Sequence, residues 1–425
     1  MSAFDKVIGY EKEKEELLQI CDIVKNPEKY SALGVRLPHG ILLYGDPGVG
    51  KTLMASAFVE EVGRKSFVCR KDKSNEEFVD FITQLFEEAK KNAPCVVFLD
   101  DLDKFASDVE LGNPEELIAV QSGIDSVKDS EVFVIATANS IRALPRPLRR
   151  PGRFDRILEI CLPNRRESVE IVRHYLADKK VAADVTAVSV ARLLDGNSCA
   201  ALESVLNEAG IYAGFEGKAE IGKEHLVRAV LRNIFEAEES VNEMSAAEKE
   251  EVAFHEAGHA VAALSFDAEG VGLISVRPSK SDARGVVQIF KGEGYFGSYE
   301  LMHQRVVALL AGKAAVELRY GRIDVGAASD MQRASAIVQR FITDYAVSGH
   351  GLFRLEGRFD GESVAQNDKI VVERTAMMAR CYEEAKDLLR KQWTFVEKLA
   401  EELVRRDTLV YEDILLLRGE TEKTA

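Results

Sequence analysis

No run of about 18 consecutive apolar residues occurs anywhere in the 425-residue sequence, so no segment of it is expected to cross a membrane as a helix. No signal peptide opens it. A membrane tether, if the protein has one, is expected outside this sequence. Cysteine is scarce: the six, at positions 21, 69, 95, 161, 199 and 381, form no CxxC pair and no regular spacing. They read as reduced thiols of a cytoplasmic protein. Positive charge is in deficit, with 56 Lys and Arg against 71 Asp and Glu and a net charge of −15. A nucleic-acid binder would carry a basic stripe, and that class is excluded. Internal repeats and low-complexity tracts are missing as well. What remains is a composition of 46% hydrophobic and 30% charged residues, ordinary for a globular protein and long enough for two or three domains.

Phe254-His-Glu-Ala-Gly-His-Ala260 stands out. On a helix, His255 and His259 lie one above the other on the same face. Two imidazoles in that arrangement can share one tetrahedral Zn²⁺, with Glu256 beside the open coordination position as a base. Val252, Ala253, Ala257 and the run Ala260 to Leu264 supply an apolar helix face, and small Ala257 and Gly258 leave room for a metal.

Earlier in the chain, the apolar run Gly40–Tyr44 predicts a buried parallel strand. It enters Gly45, Asp46, Pro47, Gly48, Val49, Gly50, Lys51 and Thr52, followed by Leu53. This is the phosphate-binding pattern GxxxxGK[ST]: backbone N–H groups face phosphate, Lys51 meets its charge and Thr52 ligates Mg²⁺. Further strands are expected at 66–70, 95–100, 132–137 and 157–162, mostly separated by helices. That alternation argues for a three-layer α/β fold with a parallel sheet. Cys95-Val-Val-Phe-Leu-Asp100-Asp101 has the form of a strand ending in a Mg²⁺-holding acid, with Asp101 to orient the attacking water and Asn139 past the next strand to hold it. A basic turn follows at 148–156, and residues 178–232 read as a small helical lid. The boundaries expected are an ATPase domain at 1–163, its lid at 164–234, an acidic linker at 235–247 and a mostly helical zinc metallopeptidase domain at 248–425.

In that last part, strands are expected at 272–277 and 285–290 and helices at 301–320, 331–345, 367–392 and 395–406. Two histidines leave a catalytic zinc one protein ligand short. His303, Glu317, Asp324 and Asp330 are the downstream candidates. Glu317 sits in an apolar helical stretch and needs a partner, which reads as accepting a hydrogen bond from a ligating imidazole.

Taken together, these motifs resemble the FtsH-type AAA+ zinc proteases over nearly the whole chain. The resemblance runs from Val7-Ile-Gly9 through the phosphate loop, Asp100, Asn139, Arg150-Pro-Gly-Arg-Phe-Asp-Arg156 and Asn207-Glu-Ala209. It resumes with His255-Glu-Ala-Gly-His259, Leu310-Ala-Gly312, Glu317-Leu-Arg-Tyr-Gly321 and Gly326-Ala-Ala-Ser-Asp330. It implies a ring hexamer that uses ATP, Mg²⁺ and Zn²⁺ to unfold and degrade loosely folded polypeptides. It also implies Asp330 as third zinc ligand, Arg150 and Arg153 as arginine fingers acting on a neighbouring subunit, and Val7, Ile8, Gly9 and His174 at the adenine. The stretch 285–289 looks like an edge strand able to pair with substrate.

The sequence departs from the family pattern in its first half. Asp101 stands where the family has glutamate. The aromatic pore loop has no clean counterpart, Phe78-Val79-Asp80 being the nearest approach. Cys199-Ala-Ala201 replaces Gly-Ala-Asp in the lid. Two rival readings follow: a zinc peptidase whose ATPase half is weak and mainly regulatory, and a remodelling ATPase with a structural metal.

Overall fold

The computed structural model describes residues 2–72, 74–107, 114–150, 152–237, 244–279, 285–289, 298–322, 326–345, 347 and 364–424. The chain divides into two compact units, Met1–Leu226 and Val227–Ala425.

The first unit holds a five-stranded parallel sheet: β1 (Gly40–Tyr44), β2 (Lys65–Cys69), β3 (Cys95–Leu99), β4 (Val132–Ala138) and β5 (Arg156–Glu159), in the order β2-β3-β4-β1-β5. β3 and β4 are buried at every position, as befits parallel strands covered on both faces. Helices α1 (Glu11–Lys25), α2 (Pro27–Ser31), α3 (Lys51–Val62), α4 (Asn75–Lys91) and α5 (Pro114–Ser126) belong to the same region. The order matters for function: β4 lies between β3 and β1, so the carboxyl ends of all three sit side by side, where open α/β sheets bind ligands. Helices α6 (Arg165–Leu176), α7 (Ala187–Leu193) and α8 (Cys199–Phe215) follow, and α9 (Lys223–Asn233) contains the point where the two units divide. The expected strands appear, β1 with the expected bounds and the others with one end or both shifted by one to three residues.

The second unit is mostly helical. Helix α10 (Ala246–Phe266) opens on a capping box in which Ser245 and Glu248 satisfy each other's backbone N–H groups. Its middle, Val252–Leu264, is buried at every position but His255, so it runs through the core. Helix α11 (Tyr299–Tyr320) packs against it and ends at Gly321, whose φ of +65° suits a residue without a Cβ. The crossing is close: a Cβ at Gly258 would lie 2.5 Å from the carbonyl oxygen of Ala311. Helices α12 (Ala328–Thr343), α13 (Val364–Lys391) and α14 (Trp393–Arg406) complete the bundle. Beside it is an antiparallel sheet in which β6 (Val271–Ser275) lies between β7 (Val286–Ile289) and β8 (Thr408–Val410). β8 and the terminal helix α15 (Tyr411–Thr424) were not anticipated. Three residues carry too little pattern to announce a strand, and β8 exists by pairing with β6. Among the described residues no helix is long and apolar enough to cross a membrane.

Candidate active site and nucleotide site

Within α10, His255 and His259 face the same side, with their rings edge to face and Nε2 atoms 3.0 Å apart. Asp330 enters from the first turn of α12, its Oδ2 3.2 Å from His255 Nε2 and 3.3 Å from His259 Nε2. Three ligand atoms thus converge in one small volume, the donor set of a three-protein-ligand zinc site. Two of them are oriented from behind. His259 Nδ1 lies 2.7 Å from the carbonyl oxygen of Ala308, which selects the tautomer leaving Nε2 a lone pair. Arg333, one turn after Asp330, donates from Nη2 to Oδ1 at 2.5 Å. Burial opposes ionisation of Asp330, but hydrogen bonds with both histidines and Arg333 outweigh it and hold its carboxyl well below the usual range.

Glu256 lines the same cavity, of about 500 Å³, and is itself buried. Burial pushes its carboxyl upward, partly countered by His255 and His259. Two glycines make the space. A Cβ at Gly312 would sit 2.4 Å from His259 Nε2, and one at Gly285 would sit 2.6 Å from Glu256 Oε1. Val286, Val287 and Ile289 of β7 line the cavity too, and β7 is the edge of its sheet among the described residues.

In the first unit, the loop after β1 lies so close to the chain leaving β5 that a Cβ at Gly45 would collide with the carbonyl oxygen of Ile160. Lys51 is buried, and its Nζ donates to the carbonyls of Gly45 and Asp46 at 2.9 and 2.8 Å and to Asn139 Oδ1 at 3.0 Å. Burial pushes its ammonium pKa down, against nearby acids of which Asp101 is the strongest. Asp100 Oδ1 accepts from Thr52 Oγ1 at 3.0 Å and Thr137 Oγ1 at 2.7 Å. The phosphate-loop lysine with Asn139, and its threonine with Asp100, therefore form two hydrogen-bonded sets at the adjoining strand ends. Asp101 has left-handed backbone, φ +53°, and its carboxylate pairs with Lys104 at 2.6 Å.

A sequence profile for the ATPase family associated with various cellular activities (AAA) matches residues 41–162. A second, for peptidase family M41, matches 242–417. The ATP-dependent zinc metalloprotease FtsH of Caldicellulosiruptor bescii is 32% identical over 96% of this chain and 71% of its own length. The protein of that name from Bacillus subtilis is 31% identical over 97% of this chain and 69% of its own. The chain belongs to the FtsH family. It spans 63% of the length of the relative from Aster yellows witches'-broom phytoplasma, at 30% identity.

Against the FtsH pattern, several expected positions fall elsewhere. Glu317 does not meet an imidazole: its carboxylate accepts from Tyr382 at 2.5 Å and Lys386 at 2.8 Å, joining α11 to α13. The partner behind the His259 imidazole is instead the backbone carbonyl of Ala308. His303 pairs with Glu384 at 3.3 Å, away from the metal group. Asp324 and Phe290 lie outside the described residues. Phe78 is fully buried in α4, stacking edge to face on Phe105 at 5.2 Å, so it is a core residue and not a pore aromatic.

Arg150 is exposed, whereas Arg153 is committed within its own chain, donating from Nε and Nη2 to both oxygens of Asp125. Val7 is buried, and the backbone N–H of Tyr10, next to Gly9, donates to Glu167 at the start of α6. His174 is exposed in the last turn of that helix. Sequence reasoning missed Arg333, although its i+3 spacing from Asp330 was a usable signal. It also missed Thr137, Gly285 and the Ala308 carbonyl, which carry none.

Proposed function

We propose that this protein is an ATP-dependent zinc endopeptidase acting on unfolded or loosely folded polypeptide. The observation that carries this reading is the convergence of His255, His259 and Asp330 with buried Glu256 in one cavity bordered by β7, an edge strand among the described residues. When bound, Zn²⁺ supplies Lewis acidity that brings a coordinated water to a pKa of about 7. Glu256 takes a proton at its carboxylate and returns it to the leaving amine. β7 offers backbone groups to an extended substrate, and the surrounding apolar side chains exclude water.

For the motor half, Lys51 and the loop from Gly45 to Thr52 hold phosphate, Asp100 and Thr52 hold Mg²⁺, and Asn139 orients water. Val7 to Gly9 and His174 border the adenine, and Arg150 and Arg153 act on a neighbouring subunit of a hexameric ring, Arg153 after exchanging Asp125 for phosphate. The domains follow as 1–163, 164–234 and 248–425, with a linker at 235–247, and the protein works in the cytoplasm or at the cytoplasmic face of a membrane. The pairing of Asp101 with Lys104 and the burial of Phe78 favour a second reading of the motor, one that hydrolyses ATP slowly and mainly regulates the peptidase.

Casein digestion with ATP, ADP and no nucleotide, with and without chelator, tests both. Glu256→Gln should abolish cleavage while zinc stays bound. Cleavage that survives chelator or this substitution sinks the peptidase mechanism, and rates indifferent to nucleotide support the second reading of the motor.

A further inference from the structure

The carboxylate of Asp100 is engaged on both oxygens. Thr52 and Thr137 take Oδ1, and Arg70 Nε lies 2.9 Å from Oδ2. The Asp100 side chain is 8% exposed and that of Arg70 59%, so the guanidinium covers the acid from the solvent side. Arg70 is held there by the fold. It is the first residue after β2, and the N–H of Asp100 donates to the carbonyl of Cys69, the last residue of that strand, at 2.9 Å. The next residue, Lys71, donates to Glu116 of α5 at 2.8 Å, and Glu116 is fully buried. Two consecutive cations therefore tie the segment leaving β2, one to an acid of the nucleotide site and one to α5.

We propose that Arg70 is a tethered counter-ion of Asp100 that competes with the divalent cation accompanying a nucleoside triphosphate. This rests on the nucleotide reading above. Two cations cannot share Oδ2 at full strength, so metal uptake must displace Arg70, and the coupling is reciprocal. With little free Mg²⁺, Arg70 offsets the negative charge that Asp100 turns toward the triphosphate, and nucleotide still binds. With Mg²⁺, part of the metal's contribution goes to releasing Arg70. Nucleotide affinity in this protein therefore depends weakly on Mg²⁺. Release of Arg70 also frees one end of the segment that Lys71 ties to α5.

The test is binding of a fluorescent ATP analogue to the full chain across a Mg²⁺ series that includes excess EDTA. Arg70→Ala should weaken binding in EDTA and lower the Mg²⁺ concentration for half-maximal binding, each by about three- to tenfold, the scale of a partly exposed ion pair on a buried acid. Arg70→Gln should behave like the alanine variant, and Arg70→Lys should stay near wild type. If wild type binds the analogue and the two neutral variants keep its Mg²⁺ midpoint, Arg70 is no competitor and the proposal falls alone. If wild type binds no nucleotide at any Mg²⁺ concentration, the nucleotide reading falls with it.

Discussion

Replacing Gly312 by alanine separates the metal site from the fold that carries it. The added methyl would lie 2.4 Å from His259 Nε2, 2.7 Å from His259 Cε1 and 2.8 Å from His255 Cε1. Ordinary carbon contacts begin near 3.5 Å, so both imidazoles must withdraw by about 1 Å, or α11 must shift from α10. Two terms act on stability in opposite directions. Alanine in the middle of α11 gains about 1 kcal/mol of helix propensity over glycine. Overpacking costs about 1–3 kcal/mol. The zinc-free protein should therefore lose no more than about 2 kcal/mol of unfolding free energy. Metal binding has no such compensation, because the methyl falls on ligand atoms themselves. Zinc affinity should drop at least about 10–100-fold, the range seen when only outer partners of a ligand are changed. The assays are chemical denaturation in chelator, a competitive zinc titration, and casein digestion. A Gly312→Ala protein that binds zinc at wild-type affinity and digests casein normally would refute the argument that this glycine makes room for the ligand pair.

Asp330→Ala should lose zinc affinity and proteolysis together, whereas Glu317→Gln should lower thermal stability, through Tyr382 and Lys386, with zinc affinity unchanged; a zinc titration on both variants decides. Asp101→Glu should raise ATP turnover, since a carboxylate set back by one methylene misplaces its water and small misplacements cost about 10²-fold; a lower turnover would mean the left-handed backbone at Asp101 is already fitted to aspartate. Hydrogen bonds from Arg153 bring the Asp125 carboxyl down to about 2. Its folded pKa is below the unfolded value of about 3.9, so the pair stabilises the protein above that pH and its contribution fades as pH falls toward 2. Asp125 is 40% exposed, so Asp125→Ala should cost under about 1 kcal/mol at pH 7. The gap between the two proteins in thermal melts should narrow between pH 5 and about 3; a gap that persists there assigns the loss to something other than the ion pair.

What the sequence determined by itself is whatever rests on short-range spacing. The phosphate loop is contiguous, and glycine and lysine at fixed offsets leave few other backbones. His255, Glu256 and His259 lie within one helical turn and a half, so their shared face follows from the period of the helix alone. β1, β3 and β4 were visible because a strand buried on both faces must be apolar throughout. The third ligand was a different matter. Asp330 stands 75 residues from His255, and on the residues alone it competed with three other groups until the family resemblance was added. Only the packing of α11 against both α10 and α12 brings the three ligand atoms together. The same holds for the partners behind them. A buried glutamate in an apolar helix announces that it needs a partner but not which one, and packing gave Glu317 to α13 while a backbone carbonyl of α11 took the imidazole. Phe78 matched a pore aromatic by residue type and was drawn into the core by Phe105. Arg70, Lys104 and Asp125 look like ordinary surface charges in the sequence. Lys104 meets Asp101 at i+3, a spacing the sequence does carry, but the pairing of Arg70 with Asp100 and of Asp125 with Arg153 is decided by strand order and tertiary packing, because those charges find their partners through space and not along the chain.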